Sequence, residues 1–364
     1  MISVLFLVFI FIFPLKSFAQ SNSWFKNNIV KVEPEIIIKG SESTIYYTDP
    51  RDFVLIEEKI LLLDGFSPFI KTINLGDLSI EQEFGQEGKG PGEFLIPTRI
   101  KIDQNDNLIV YDVRRRSLTR FTKNGVFVNS LIHSKIISDF DVDVKNNYVL
   151  LTKEGLSIKS GNSLIKITVL LGDTEIILDS LRVKEKLFIK EPSPVFANIP
   201  YAGALFLAVL PNKTILSLSS KEYKFTIFDK EYKKTKEYVH KSDKIVLSRK
   251  DEEDFFNKQI FINPAGEKTT GTPQYIKDKI DFPKYKDYVS GLFVDKHNKV
   301  IVVKTNLVED GYRYIDFFNF NLNFIKRSKI KDSAMQVPVF YNGGYYQLEK
   351  TEDDYINLVN YNLK

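Results

Sequence analysis

Residues 84–127 read FGQEGKGPGEFLIPTRIKIDQNDNLIVYDVRRRSLTRFTKNGVF, and this stretch decides the fold. A glycine-rich crossover opens it, and apolar strand-like runs follow, separated by short turns rich in Asn, Asp, Gly and Lys. Such a unit of about forty residues is typical of one blade of a β-propeller, which repeats the unit around a central axis. One clear copy therefore predicts further, less regular copies elsewhere in the chain.

The first two runs of this unit, with the turn between them, can be found six times. They cover residues 53–64, 100–112, 140–152, 205–219, 292–304 and 337–349. The spacing leaves excess chain at 181–198 and 240–286, which predicts two insertions, and the segment SRKDEEDFFNKQI in the second one predicts a short amphipathic helix. The last unit is one strand short. We expect residues 29–39 to supply that strand and close the ring.

These observations predict an all-β fold, a six-bladed β-propeller with four-stranded antiparallel blades and a ring closed by an N-terminal strand. One domain is expected to span residues 20–364. The sequence before it, MISVLFLVFIFIFPLKSFAQ, has an apolar run followed by the small residues Ser17 and Ala19, which predicts a signal peptide at residues 1–19. We therefore expect an exported protein, periplasmic or extracellular, without stable membrane insertion.

Composition narrows the classes of function. The chain has 51 basic and 47 acidic residues, so its net charge of +4 gives no broad field that would attract nucleic acid. It has no cysteine, which excludes disulfides and thiolate chemistry. The three histidines stand far apart in the sequence and not at the spacing of zinc ligands.

The crossover carries a family resemblance. Its FGxxGxGPGEF pattern resembles the NHL-type blade and is similar to a family of secreted six-bladed β-propellers common in Bacteroidetes. The pattern is formed by Phe84, Gly85, Gly88, Gly90, Pro91, Gly92, Glu93 and Phe94. Pro97, Asp103, Asp112 and residues 281–295 agree with it, whereas Ser117 stands where the blade usually carries Arg. The resemblance implies the fold and an exported location, and it implies no activity.

Two motifs resemble a phosphate-binding loop and a calcium-binding loop, but neither has all the residues that such a site needs. The loop around Lys89 is followed by Gly-Pro-Gly and a strand, not by Ser or Thr and a helix, so we interpret it as a structural crossover. Asp139, Asp141 and Asp143 alternate along one strand, but Val144 and Leu150 stand where a calcium loop needs Gly and an acid. We interpret these aspartates as a solvated strand face. The sequence predicts no catalytic residue, no metal site and no cofactor.

The basic run Arg114, Arg115 and Arg116 is a candidate anion contact, because guanidinium groups pair strongly with carboxylate, phosphate or sulfate. Strand direction predicts that this turn, Arg99 and both insertions lie on one face of the disc, where loops carry function. The favoured hypothesis is a secreted, non-catalytic binding or scaffold protein for an unknown protein, peptide or glycan. One alternative is a metal-dependent lactonase or lyase acting at the central channel. Another is a sensor or docking module of an envelope assembly.

Overall fold

The computed structural model describes residues 30–32, 34–38, 49–157, 162–190, 193–198, 200–258, 260–262, 268–270, 277–278, 280, 282–332, 339–341, 344–350 and 356–362. Strands dominate this part of the chain, which forms six four-stranded antiparallel blades arranged as a six-bladed β-propeller. The predicted fold class is therefore confirmed. The expected signal peptide, residues 1–19, lies outside the described residues.

The strands follow the blades in chain order. The described chain begins with β1 (Val30–Val32) and β2 (Pro34–Ile38). Blade 1 contains β3 (Pro50–Ile56), β4 (Lys59–Asp64), β5 (Ile70–Asn74) and β6 (Ile80–Phe84). Blade 2 contains β7 (Pro97–Ile102), β8 (Leu108–Asp112), β9 (Ser117–Phe121) and β10 (Phe127–Ile132). Blade 3 contains β11 (Ile137–Val142), β12 (Tyr148–Ser157), β13 (Asn162–Leu171) and β14 (Thr174–Lys190), to which β15 (Ser193–Asn198) is added.

The second half of the ring carries the helix. Blade 4 contains β16 (Leu205–Val209), β17 (Ile215–Ser219), β18 (Lys224–Phe228) and β19 (Lys234–Val239). An insertion follows with α1 (Arg249–Lys258), β20 (Ile260–Ile262) and β21 (Lys268–Thr270). Blade 5 contains β22 (Val289–Asp295), β23 (Val300–Glu309), β24 (Tyr312–Asn319) and β25 (Phe324–Lys331). Blade 6 contains β26 (Val339–Tyr341), β27 (Gly344–Lys350) and β28 (Ile356–Asn362).

The N-terminal strands close the ring. Strand β2 pairs antiparallel with β28 and becomes the fourth strand of blade 6, as the sequence predicted. Strand β1 pairs in parallel with β25 and adds a fifth strand to blade 5, which the sequence did not predict. Two blade edges are thus covered by the same short N-terminal segment, and covered edges cannot pair with other chains.

The first hairpins of blades 1 to 5 each contain a polar residue with a left-handed backbone in the turn. Asp106 has a φ of 60° and Asn146 a φ of 64°, a region that Asn and Asp tolerate better than other residues with a side chain. In blade 2 the Asp103 carboxylate accepts the backbone N–H groups of Asn105 and Asn107 at 2.8 and 2.9 Å. The Asn and Asp residues that mark the repeat in the sequence therefore recur because the hairpin turns require them.

The core lies between the blades. In the described part of the chain, six hydrophobic clusters fill the six junctions between neighbouring blades. The cluster between blades 1 and 2 contains Leu63, Phe94 and Val110, all fully buried. Because both faces of every blade pack against a neighbour, the strands show apolar residues on both faces rather than strict alternation.

Candidate functional site

The strand directions decide which loops share a face. In an antiparallel blade the first and third strands run the same way, so the crossover into the first strand and the turn into the third emerge together. We call this side of the disc the crossover face. It carries the glycine-rich loop before β7, the turn between β8 and β9, and the insertion between β19 and β22.

The glycine-rich crossover is closed by a buried carboxylate. Asp112 is fully buried at the end of β8. One of its oxygens accepts the backbone N–H groups of Leu95 and Ile96 at 2.5 and 3.1 Å, and the other accepts those of Arg114 and Arg115 at 2.9 Å each. A single carboxylate thus fixes both the crossover and the turn beside it.

The side chain of Glu93 occupies the interior of the glycine-rich crossover. The Glu93 carboxylate accepts the Gly90 N–H at 2.6 Å. A Cβ at Gly88 would lie 2.0 Å from a Glu93 carboxylate oxygen, so a side chain here would displace the Glu93 carboxylate from the loop. A backbone N–H group of the loop therefore serves an internal carboxylate, and Glu93 fills the space in which an anion would have to lie.

Arg115 belongs to the same closed loop. Its guanidinium donates to the Lys89 carbonyl at 3.0 Å, to the Gly90 carbonyl at 3.3 Å, and to the Glu93 carbonyl. Because these acceptors are backbone carbonyls of the crossover, Arg115 clamps the loop. The sequence did not predict this structural contact for a residue that it singled out as a ligand contact.

The other three candidate arginines lie nearer to solvent. Arg116 donates to the Ser134 carbonyl at 2.7 Å, and Arg99 donates to the carbonyl of Thr98 at 3.1 Å. Arg99, Arg114 and Arg116 are exposed. All belong to blade 2 on the crossover face, as the strand directions predicted.

Carboxylates on the innermost strands fasten one blade to the next. Asp52 on β3 accepts the Phe53 N–H at 2.9 Å and the Ile100 N–H of blade 2 at 3.0 Å. Asp141 on β11 likewise accepts the Val209 N–H of blade 4 at 2.8 Å. Burial raises the pKa of Asp52 to about 6, although the hydrogen bond from Ile100 and the charges of blade 2 oppose the rise.

The aspartates of β11 and the turn after it have separate roles, so their interpretation as a solvated face is corrected. Asp139 pairs with Lys101 at 3.3 Å. Asp141 and Asp143 are buried, and Asp143 accepts the backbone N–H groups of Lys145 and Asn147 at 2.8 Å each in the first hairpin turn. Among the described residues, no group of three or more His, Cys, Asp or Glu side chains is placed to hold a metal ion.

The largest departure from a plain blade is the insertion between blades 4 and 5. Its helix α1 begins after Ser248, whose Oγ and backbone N–H both contact the Asp251 carboxylate, at 2.6 and 2.9 Å, in a reciprocal cap. Asp251 also accepts a hydrogen bond from Lys286 Nζ at 2.6 Å. Burial alone would raise the pKa of Asp251, but the hydrogen bonds from Lys286 and Ser248 outweigh it and lower that pKa. The helix predicted from the sequence is confirmed.

A cleft of about 1630 Å³ opens between this insertion and blades 4 and 5 on the crossover face. Residues 240–255 form one wall, and the tip of the β23–β24 hairpin, residues 305–314, forms the opposite wall. Aromatic rings at Tyr201, Phe255 and Tyr288 line it together with acidic and basic side chains. The cleft is large enough for a peptide segment or several sugar rings, since ordinary small-molecule pockets measure roughly 300–1,000 Å³.

The blade side of the cleft carries aromatic rings next to a partly buried ion pair. His240 stacks on Phe324 with ring centres 5.4 Å apart, and it lies edge-on to Tyr223 at 4.8 Å. Beneath them Asp316 accepts from Tyr223 at 2.7 Å and pairs with Arg327 at 2.5 Å. Burial lowers the pKa of His240, so the neutral ring is favoured and stacks like its aromatic neighbours.

Tyr201 marks the edge of the cleft with an unusual backbone. Its φ is 56°, a left-handed value that a bulky residue rarely adopts. The ring lies 6.0 Å from the ammonium group of Lys286, which also holds α1. Residues kept in such conformations cluster at binding sites, where the surrounding structure maintains them.

The sequence indicated the face and the insertion but missed the cleft residues. Arg99 and Arg114 to Arg116 lie in blade 2, whereas the lining of the cleft comes from residues 200–332. The missed residues are aromatic and charged. In the sequence, the aromatic ones look like core residues and the charged ones look like ordinary surface residues. Strands β23 and β24, which are 10 and 8 residues long, carry the opposite wall of the cleft, and no sequence pattern distinguishes them from the other long strands of the chain.

Comparison with known proteins shows the fold alone. No protein-family model matches the chain, and no curated protein matches it. A putative exported protein from Bacteroides fragilis is 11% identical, with a TM-score of 0.54 over 92% of this chain and 95% of that one. A member of the duf4221 family from Bacteroides vulgatus is 9% identical, with a TM-score of 0.47 over 91% and 97%. Virginiamycin B lyase from Staphylococcus aureus is 12% identical, with a TM-score of 0.43 over 90% and 99%. None of the described helices is long and apolar enough to cross a bilayer.

Proposed function

We propose that this chain is an exported propeller that acts by binding, and that its partner inserts a peptide segment or a glycan into the cleft between blades 4 and 5. The observation that carries the proposal is the cleft of about 1630 Å³, which the insertion builds on the crossover face. Export is supported by the apolar N-terminal run and by the structural likeness to a putative exported protein. The NHL-type crossover motif supports membership of the secreted six-bladed family of Bacteroidetes.

The walls of the cleft are held in place before any ligand arrives. Lys286 joins α1 to the approach to blade 5 at 2.6 Å. Arg313 and Asp332 form a two-point contact at 2.6 and 2.9 Å on the other side. A pre-formed site loses less conformational entropy on binding, so these ion pairs serve affinity by fixing the walls rather than by contacting the ligand.

The lining suits a ligand with both apolar and hydrogen-bonding faces. The rings of Tyr288 and Phe255 offer flat apolar contact, and Ser242 and Asn306 also line the cleft with polar groups. Peptides and glycans both present this combination. We propose a second, weaker contact at Arg99 and Arg114, exposed on the same face in blade 2, for an anionic group of a large partner.

The test is a peptide and glycan array together with a pull-down from the cell envelope. Each binder is then measured against Ser242→Trp, which fills the cleft, and Asn124→Trp, which places the same bulk on the exposed turn between β9 and β10 on the opposite face. We expect at least a tenfold loss of affinity for the first variant and no change for the second. A binder that Asn124→Trp weakens and Ser242→Trp leaves unchanged would overturn the proposal.

A further inference from the structure

The side of the disc opposite the crossover face is divided by charge. We call it the turn face, because the turns between the first and second strands and between the third and fourth strands of each blade lie on it. In blades 3 to 5 these turns expose two acids, Asp173 and Glu231, and six lysines. We call the lysines the lysine cluster, and its members are Lys145, Lys213, Lys230, Lys233, Lys296 and Lys299.

The turns of blades 1 and 2 on the same face carry the opposite charge. Their exposed charged residues are Glu57, Glu58, Asp77, Asp106 and Lys123. Four acids thus stand against one lysine, so the positive charge of the turn face is confined to blades 3 to 5. The net charge of +4 for the whole chain conceals this separation.

Contacts between blades hold neighbouring turns of the lysine cluster together. Lys145 Nζ donates to the Lys230 carbonyl at 2.5 Å and lies 5.1 Å from the centre of the Tyr232 ring. The Tyr232 hydroxyl donates to the Asp143 carboxylate at 2.6 Å. The first turn of blade 3 and the second turn of blade 4 therefore form one continuous basic surface.

The lysine cluster presents its charge to solvent. Lys230 lies 3.7 Å from Glu231, but both side chains are more than half exposed, so this ion pair is weak. Among the described residues, no carboxylate lies within ion-pair distance of the other five lysines. An anionic partner can therefore contact these ammonium groups without first breaking an internal ion pair.

The arrangement of the lysines indicates the shape of the partner. They stand on turns of three neighbouring blades, so a broad anionic surface contacts more of them at once than a narrow ligand does. A bilayer that contains anionic phospholipids is such a surface. Clusters of roughly four to eight basic residues are typical of proteins that bind one.

We propose that the lysine cluster docks the exported protein on the phosphate headgroups of an anionic bilayer. The same surface repels the acids of blades 1 and 2, so the disc docks tilted, with blades 3 to 5 nearest to the lipid. The contact is peripheral and sensitive to salt, because it depends on exposed charges. It leaves the crossover face and its cleft turned away from the lipid and open to a partner. This inference does not depend on what the cleft binds.

The experiment is flotation of the protein, purified in its exported form, with vesicles of phosphatidylcholine alone or with about 30% phosphatidylglycerol. At about 50 mM NaCl the protein should bind the anionic vesicles at least about tenfold more tightly than the neutral ones, and about 500 mM NaCl should release it. Sodium phosphate at equal ionic strength should release no more protein than NaCl does. This comparison separates a lipid surface from a site for free phosphate.

Charge variants locate the contact. Lys233→Glu/Lys296→Glu should weaken binding to anionic vesicles at least about tenfold, because each lysine near such a surface contributes roughly fivefold. Lys233→Arg/Lys296→Arg keeps the charge and should bind as the wild type does. Lys89→Glu/Lys221→Glu makes the same charge change at exposed lysines of the crossover face. This matched control should stay within about twofold of the wild type.

Melting temperatures check that each variant is folded, and the exposed positions should tolerate these changes. A wild type that binds both kinds of vesicle equally overturns the inference. So does a loss of binding in Lys89→Glu/Lys221→Glu that equals the loss in Lys233→Glu/Lys296→Glu, or a loss in the arginine variant. Greater release by phosphate than by NaCl, or tighter binding to dextran sulfate than to vesicles at equal negative charge, assigns the cluster to another partner and overturns it too.

Discussion

The junction between blades 1 and 2 and the junction between blades 4 and 5 occupy equivalent positions in the ring but are built in opposite ways. The first is a short crossover whose polar groups are satisfied by Asp112, Glu93 and Arg115. The second carries the insertion with α1 and leaves a cleft against residues 305–314. A propeller can therefore close one junction with internal hydrogen bonds and open another for binding without changing the ring.

Charged side chains have different roles at the two junctions. In the closed junction the charged groups bind backbone atoms and complete the loop. In the open junction Lys286 and Asp251 bind each other and hold α1 against the approach to blade 5. Replacing charged residues at the closed junction should therefore lower global stability, whereas the same kind of change at the open junction should act locally and on binding.

The largest effect is expected for Asp112→Ala. Four backbone N–H groups lose their acceptor in a buried position, so the free energy of unfolding should fall by about 3–5 kcal/mol. Urea unfolding measures the loss, with Gln104→Ala at an exposed turn position as the control. A loss below about 1 kcal/mol would show that the closed junction does not depend on this carboxylate.

The second prediction concerns Asp52, which fastens blade 1 to blade 2. Burial raises its pKa from 3.8 to about 6, so the folded protein holds the proton more tightly than the unfolded chain does. This contribution to stability is fully present below pH 3.8 and is lost as the pH rises to about 6, by at most about 3 kcal/mol.

Urea unfolding between pH 3.5 and 7 tests the Asp52 prediction. Asp52→Asn removes the titrating group, so between pH 4 and 6 the wild type should lose stability relative to this variant. Asp106→Asn should follow the wild type. A difference between wild type and Asp52→Asn that is constant across this pH range would contradict the assigned pKa.

Much of the fold could be predicted from the sequence because blade turns need particular residues. Asp103, Asp106 and Asn146 appear where a carboxylate or amide must stabilise a left-handed turn, and this requirement acts locally. The N-terminal closure could be predicted because the last unit was one strand short. The added strand β1 could not, because its place on β25 depends on an edge that exists only after folding.

The candidate site was predicted in position but not in detail. Strand direction alone placed the insertion on the crossover face. The role of Arg115 could not be predicted, because its acceptors are carbonyls of a loop more than twenty residues earlier whose path is set by glycines. The stacking of His240 on Phe324 joins residues from two blades, and no short-range pattern in the sequence records it.

The third prediction separates neighbouring arginines of the closed junction. Arg115→Ala removes charged hydrogen bonds to three loop carbonyls and should cost about 2 kcal/mol of unfolding free energy. Arg114→Ala changes an exposed side chain and should stay within about 0.5 kcal/mol of the wild type. Denaturant unfolding of both single variants decides this. Equal effects would contradict the distinction between a clamping and a solvent-facing arginine.

The smallest global effect is expected for Asp251→Ala at the open junction. The variant loses the Lys286 contact and the cap of α1, but the ring does not depend on either, so global unfolding should change by less than about 1 kcal/mol. The helix should nevertheless open more often, because its tie to blade 5 is gone. Hydrogen exchange of residues 249–258 should therefore accelerate at least tenfold, while β22 to β24 exchange as before. Glu253→Ala, on an exposed position of the same helix, is the matched control. If exchange accelerates equally in the blades, the insertion is a structural part of the ring rather than a separately held wall of the cleft.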